Sequence, residues 1–136
     1  MQKSQLFAAA TASVAALFLL TFVSVPQVSG AEFRCGAIAL SFKDNKHFSV
    51  TRVATCEEAE RIVLRACQQQ SKGDCKAMTC RNSCCALAKG PKGTGSATGI
   101  SQNDAEKRAL AFCAERGSGC TITVAHCNFG DGKKLD

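Results

Sequence analysis

"CEEAERIVLRACQQQSKGDC", Cys56 to Cys75, can be laid over "QNDAEKRALAFCAERGSGC", Gln102 to Cys120. Ala59-Glu60 then falls on Ala105-Glu106 and Cys67 on Cys113, and one deletion in the following loop puts Cys75 on Cys120. Upstream, "CGAIAL" from Cys35 corresponds to "CCALAK" from Cys84. From Cys35 onward the chain is expected to be two copies of one unit.

Each copy shows the same local signals. Thr55 with Glu58, and Ser101 with Asp104, have capping-box spacing, in which a hydroxyl accepts from an orphan helix N–H and the acid reaches back. Behind these caps Ala59, Ile62, Val63 and Ala66, then Ala105, Ala109 and Phe112, recur at helical spacing. Gly73, Gly117 and Gly119 mark the helix ends. A β-rich run follows each helix, "CKAMTC" and "CTITVAHC". Two shorter strands precede each helix, turning at Asp44-Asn45 and at Gly90-Pro91-Lys92-Gly93. The fold expected is α+β, two strand-strand-helix-strand units sharing one mainly antiparallel sheet, with both helices on one face and disulfide staples.

The first thirty residues stand apart from this pattern. Lys3 precedes an apolar stretch from Leu6 to Val25, then Pro26 and small residues, as in a secretory signal peptide cleaved after residue 30 or 31. A secreted domain over 32–128 and a short basic tail over 129–136 are expected to follow. All ten cysteines lie beyond the leader, the usage of an exported disulfide scaffold in the periplasm or outside the cell. Seventeen Lys and Arg against eleven Asp and Glu keep the chain basic, which favours acidic partners in general. There is no Trp or Tyr. Phe33, Phe42, Phe48, Phe112 and Phe129 are expected in the core, leaving few faces on which bases or sugars stack.

The repeat narrows how the cysteines pair. Cys67 and Cys75, like Cys113 and Cys120, flank a Gly-containing turn, so two local staples are expected, each worth about 2.5 kcal/mol. Neighbours on a strand point to opposite faces, which gives Cys84 and Cys85 different partners. With Cys35 aligned to Cys84, and Cys80 near a strand end as Cys127 is, Cys84–Cys127 and Cys35–Cys80 would tie the first strand of each unit to its last. Cys56–Cys85 then remains, pinning helix to sheet, although Cys84 and Cys85 can exchange roles in this scheme.

"GAIAL", "GDC", "RNSCCALAKGPKG", "AEKRALAFC" and "GSGCTITVAHC" together resemble a family of small secreted bacterial domains of unknown function, over roughly Phe33 to Cys127. The resemblance rests on the Gly-Ala-Ile-Ala and Asn-x-Cys-x-Ala-Leu-Ala patterns and on the paired helix-end cysteines. It implies that Cys67, Cys75, Cys84, Cys113, Cys120 and Cys127 recur in relatives, and that Cys35, Cys56, Cys80 and Cys85 are additions. It implies an exported α+β domain and supplies no catalytic residues.

No motif calls for a cofactor. Cys75, Cys80, Cys84 and Cys85, with His126-Cys127, invite a zinc reading, but a doubled cysteine fits the paired spacing of zinc ligands poorly and export favours oxidation. A catalytic thiol needs an unpaired, partly exposed cysteine. Cys56 and Cys85 are the first to examine for one, His47 being read as a solvated hairpin residue and His126 as facing water. "KGPKGTGSATG", Lys89 to Gly99, lacks the ending of a phosphate loop and is explained as a lysine-bearing turn. Lys43, Lys46, Lys89, Lys92, Lys133 and Lys134 concentrate in turns and tail as a basic edge for an anionic surface or envelope protein. The expected function is an exported, disulfide-rich binding module without enzymatic activity. The alternatives are an envelope enzyme or accessory with a reactive cysteine, and a cationic cysteine-rich toxin or inhibitor.

Overall fold

The computed structural model describes residues 34–129. The expected leader and its expected cleavage sites, Phe33, and Lys133 and Lys134 of the expected tail lie outside the described residues. The elements are β1 (Cys35–Ser41), β2 (His47–Val53), α1 (Cys56–Gln70), β3 (Cys75–Arg81), β4 (Cys84–Gly90), β5 (Gly93–Gly99), α2 (Gln102–Ala114) and β6 (Thr121–Cys127). They form two strand-strand-helix-strand units in an α+β fold.

The expected single sheet is replaced by two three-stranded sheets, β2-β1-β3 and β5-β4-β6, antiparallel throughout. The reason lies in the two central strands. Every residue of β1 is buried, as are the first five of β4, so both faces of each strand need cover. Cys35, Ala37 and Ala39 pack with Ala59, Val63 and Cys67 of α1. Cys84, Ala86 and Ala88 pack with Ala105, Ala109 and Cys113 of α2. The opposite faces meet each other through Ile38, Leu40, Cys80, Cys85 and Leu87, with Met78 and Val124 alongside. The helices therefore lie on opposite outer faces, not on a common one. A single sheet with both helices on one side would leave Ile38, Leu40 and Leu87 in water, forfeiting about 1.5–3 kcal/mol for each.

The helix–sheet layers are built of small residues because the helices lie close. A Cβ on Gly95 of β5 would collide with the Ala109 carbonyl and the Cys113 amide of α2. Nothing as large as a phenylalanine fits beneath that helix. Its buried stripe is Ala105, Ala109 and Cys113, and Phe112, expected in the core, is 45% exposed; Phe42 is likewise 51% exposed. Gly95→Ala is expected to destabilise the domain by about 2 kcal/mol, the usual cost of overpacking against unyielding backbone. Urea unfolding checks this, and a loss below about 0.5 kcal/mol would show that α2 moves aside freely.

The caps form as half boxes. Thr55 Oγ1 accepts from the Glu58 amide and Ser101 Oγ from the Asp104 amide, each at 3.2 Å. The reciprocal arms differ from expectation: Glu58 accepts from Arg61 at 2.7 Å, and Asp104 accepts from the Ile100 amide, one residue before the cap, at 3.2 Å.

The disulfides are Cys67–Cys75, Cys113–Cys120, Cys84–Cys127, Cys35–Cys56 and Cys80–Cys85. The last two correct the expected Cys35–Cys80 and Cys56–Cys85. In the ladder Cys80 stands opposite Gly36, and Cys35 stands opposite Arg81. Cys80 thus faces the other sheet, whereas Cys35 faces α1, where Cys56 begins the helix. Cys85, on the inner face of β4, meets Cys80 there.

Candidate functional site

In each unit the first hairpin turn and the end of the helix lie at the same end of the sheet, and the units stack in the same direction. Lys89 Nζ, at the end of β4, donates to the Asn45 carbonyl in the β1–β2 turn. Ser41 Oγ donates to the Gly73 carbonyl beyond α1 at 2.9 Å. This end therefore collects Lys43, Lys46, Lys72, Lys76, Lys89, Lys92 and Arg116, against Asp44, Asp74 and Glu115. Both helices also end here, with no basic residue in either last turn. Their partial negative charge favours cations nearby. Lys46 Nζ supplies one, donating to the Gln70 carbonyl at 2.7 Å while standing 3.6 Å from Asp44. Lys43 and Lys92 are exposed. The expected basic edge is thus one end of the sandwich so far as its described members go.

A groove of about 860 Å³ opens at the same end, between β3 and β5. Ile38, Leu40, Met78 and Leu87 form its apolar floor, and Phe42, Phe112, Lys76 and Arg116 stand on its lining. Lys76 Nζ lies 5.7 Å from the centre of the Phe42 ring, a cation–π contact. Arg116 reaches across to the Thr94 carbonyl of β5.

The opposite end of the inter-sheet layer holds a second group. Cys80, Cys85 and His126 bring their ligand-type atoms within 4.8 Å of one another, but the two sulfurs are bonded to each other. In this state only the imidazole retains a donor lone pair suited to a metal. Asn128, fully buried, donates from Nδ2 to Cys80 Sγ at 3.1 Å and accepts at Oδ1 from the Arg52 amide at 2.9 Å. It occupies the space a side chain on Gly36 would need. Every cysteine is in a disulfide, so Cys56 and Cys85 carry no free thiol of the kind a reactive-cysteine enzyme requires.

The family model "Domain of unknown function (DUF4189)" matches residues 35–127. The chain belongs to the DUF4189 family. The NMR structure of Rv1813c from Mycobacterium tuberculosis is similar to this DUF4189 domain in fold, with a TM-score of 0.52 and 19% identity, covering 92% of this chain and 100% of that one. At that identity the likeness bears on the fold alone. No curated protein shows a significant match.

Two histidines of the DUF4189 domain stand differently from expectation. His47 is half-buried with Nδ1 3.3 Å from Lys89 Nζ, and His126 is half-buried with Nε2 shielded from solvent and without a partner. Burial holds both below the usual histidine value of 6.5, and the Lys89 charge depresses His47 further. On acidification the unfolded chain takes up these protons before the native one does. Their contribution is therefore complete above 6.5 and lost as pH falls through the window below it. The urea midpoint is expected to fall between about pH 7.5 and about pH 5.5, and to fall less in the His47→Gln/His126→Gln double variant. A midpoint that rose toward acid would contradict the assignment.

Lys72, Lys76, Arg116 and Asn128 escaped the sequence reading. For two of them a signal existed: Lys72-Gly73 and Arg116-Gly117 place a cation before the glycine of each helix-end turn, at related points of the repeat. Asn128 lies just past the repeated segment, where no pattern marks it.

Proposed function

We propose that this DUF4189 domain is an exported binding module whose cationic end engages an acidic macromolecule. The observation that carries the reading is the gathering of Lys43, Lys72, Lys76, Lys92 and Arg116 around both helix C-termini, beside a groove with an apolar floor. Lys46 and Lys89 contribute charge there while also bonding the turns that shape the end. Cysteine usage and the leader support export, and the closed set of disulfides supports a rigid scaffold.

Polyglutamate immobilised on a resin is the simplest probe. Retention is expected to weaken steeply with salt, since exposed charges are screened over about 8 Å at physiological ionic strength. Lys43→Glu/Lys92→Glu is expected to lower affinity about tenfold, whereas Lys107→Glu/Arg108→Glu, on the exposed side of α2, is expected to change it about twofold or less. Retention that ignores salt, or that falls equally in both double variants, would remove the proposal.

A further inference from the structure

The groove differs from a side-chain pocket in what lines it. Consecutive residues contribute from each strand, Lys76, Ala77 and Met78 on β3 and Gly93, Thr94, Gly95 and Ser96 on β5. Side chains alternate faces, so an unbroken run along a wall means that the wall is a strand edge. Both strands are edges of their sheets. The two edges are not equivalent. On β5, Arg116 of the following helix turn already occupies the Thr94 carbonyl. β3 pairs with β1 along its whole length through one edge, and among the described residues no strand pairs with the other.

We infer that the groove is a strand-addition site, in which an extended acidic segment of another polypeptide pairs with the free edge of β3. The inference rests on the cationic end being the binding surface and names the class of partner it takes. Main-chain hydrogen bonds to β3 supply affinity, and every second side chain of the added strand enters the groove. The side chain opposite Lys76 meets an exposed cation, with Arg116 across the groove. The side chain opposite Met78 meets the apolar floor. A charge facing inward from an edge strand also guards against self-pairing. Here it makes a carboxylate the matching residue and a second copy of β3, which brings its own Lys76, a poor one. Phe42 and Phe112, exposed at the rim, give the added strand apolar surface to lie against.

The test uses the oxidised protein and an acetylated peptide of repeating Glu-Thr-Val-Thr, with two comparison peptides: Lys-Thr-Val-Thr, and the Glu peptide N-methylated at alternate peptide nitrogens so that one edge cannot donate. The Glu peptide is expected to bind at least tenfold more tightly than either. Lys76→Glu, at an exposed position, is expected to reverse the order of the Glu and Lys peptides with its five disulfides intact by mass. Equal binding of the N-methylated peptide, an unchanged order in Lys76→Glu, or no binding of the Glu peptide overturns strand addition. Those failures are distinguishable from failure of the cationic end itself: salt-sensitive retention on polyglutamate that is lost in Lys43→Glu/Lys92→Glu leaves the broader proposal standing.

Discussion

Replacing both Cys84 and Cys127 by alanine is expected to lower stability by about 4 kcal/mol, the largest effect of removing any one disulfide here. The two cysteines face each other directly across β4 and β6, with Cα atoms 3.9 Å apart and a sequence separation of 43. The bond encloses the entire second unit, hairpin, helix and returning strand. Constraining so long a loop removes more freedom from the unfolded chain than closing the Cys113–Cys120 turn, whose separation is 7 and whose worth is about 2.4 kcal/mol. A domain of this size loses roughly 4–8 °C of melting temperature per kcal/mol, so thermal unfolding should fall by roughly 15–30 °C. The first unit has no such bond: Arg81 stands opposite Cys35, and Cys35 goes to Cys56 at a separation of 21. A loss below about 1 kcal/mol in the double variant would mean that the loop is already ordered when the domain unfolds.

Leu87→Ala is expected to cost about 3 kcal/mol, within the usual 2–5 for emptying a packed leucine site. Leu87 is 2% exposed and sits between the sheets with Ile38, Leu40 and the Cys80–Cys85 bond. Ile62→Ala on α1, where the side chain is 38% exposed, is expected to cost less than about 1 kcal/mol. The contrast discriminates architectures. Were the six strands one sheet with both helices on one side, Leu87 would face water and its truncation would cost almost nothing. Urea unfolding of the two variants side by side checks it, and equal losses would contradict face-to-face packing.

The duplicated unit was legible because it is written in local signals. Thr55 and Ser101 start helices at matching points, and the small buried positions Ala59 and Ala105 recur between matching cysteines. The alternation that set Cys84 apart from Cys85 is equally local. The strand count per sheet was not. "CGAIAL" and "CCALA" are unbroken apolar runs, which signal strands covered on both faces, but such a run does not say whether the second cover is a helix or another sheet.

The Cys35–Cys56 and Cys80–Cys85 bonds depart from the expected pairing for a related reason. Aligning Cys80 with Cys127 is wrong by one residue: the ladders place Cys80 opposite Gly36 and His126 opposite Cys85, so His126 is the true counterpart. A slip of one residue exchanges the faces of a strand, and with them every partner. Phe112 stands outside the core; helical spacing marks a stripe without saying how close the sheet beneath it comes. That distance is set by Gly95 on another strand.

The candidate site was half legible. Lysines in two hairpin turns were visible as a group, and the repeat carries both turns to one end of the sandwich. The groove was not visible, because it exists only where the edges of β3 and β5 face each other across the layer between the sheets.

The most direct test of the cationic end as the binding surface is an amide-resolved NMR titration of the 15N-labelled oxidised protein with polyglutamate. Shifts are expected to concentrate at residues 41–47, 72–78, 89–96 and 115–117, and to collapse at high salt. Shifts concentrated around Asn128 and the Cys80–Cys85 bond, or spread over the outer faces of the helices, would contradict the account.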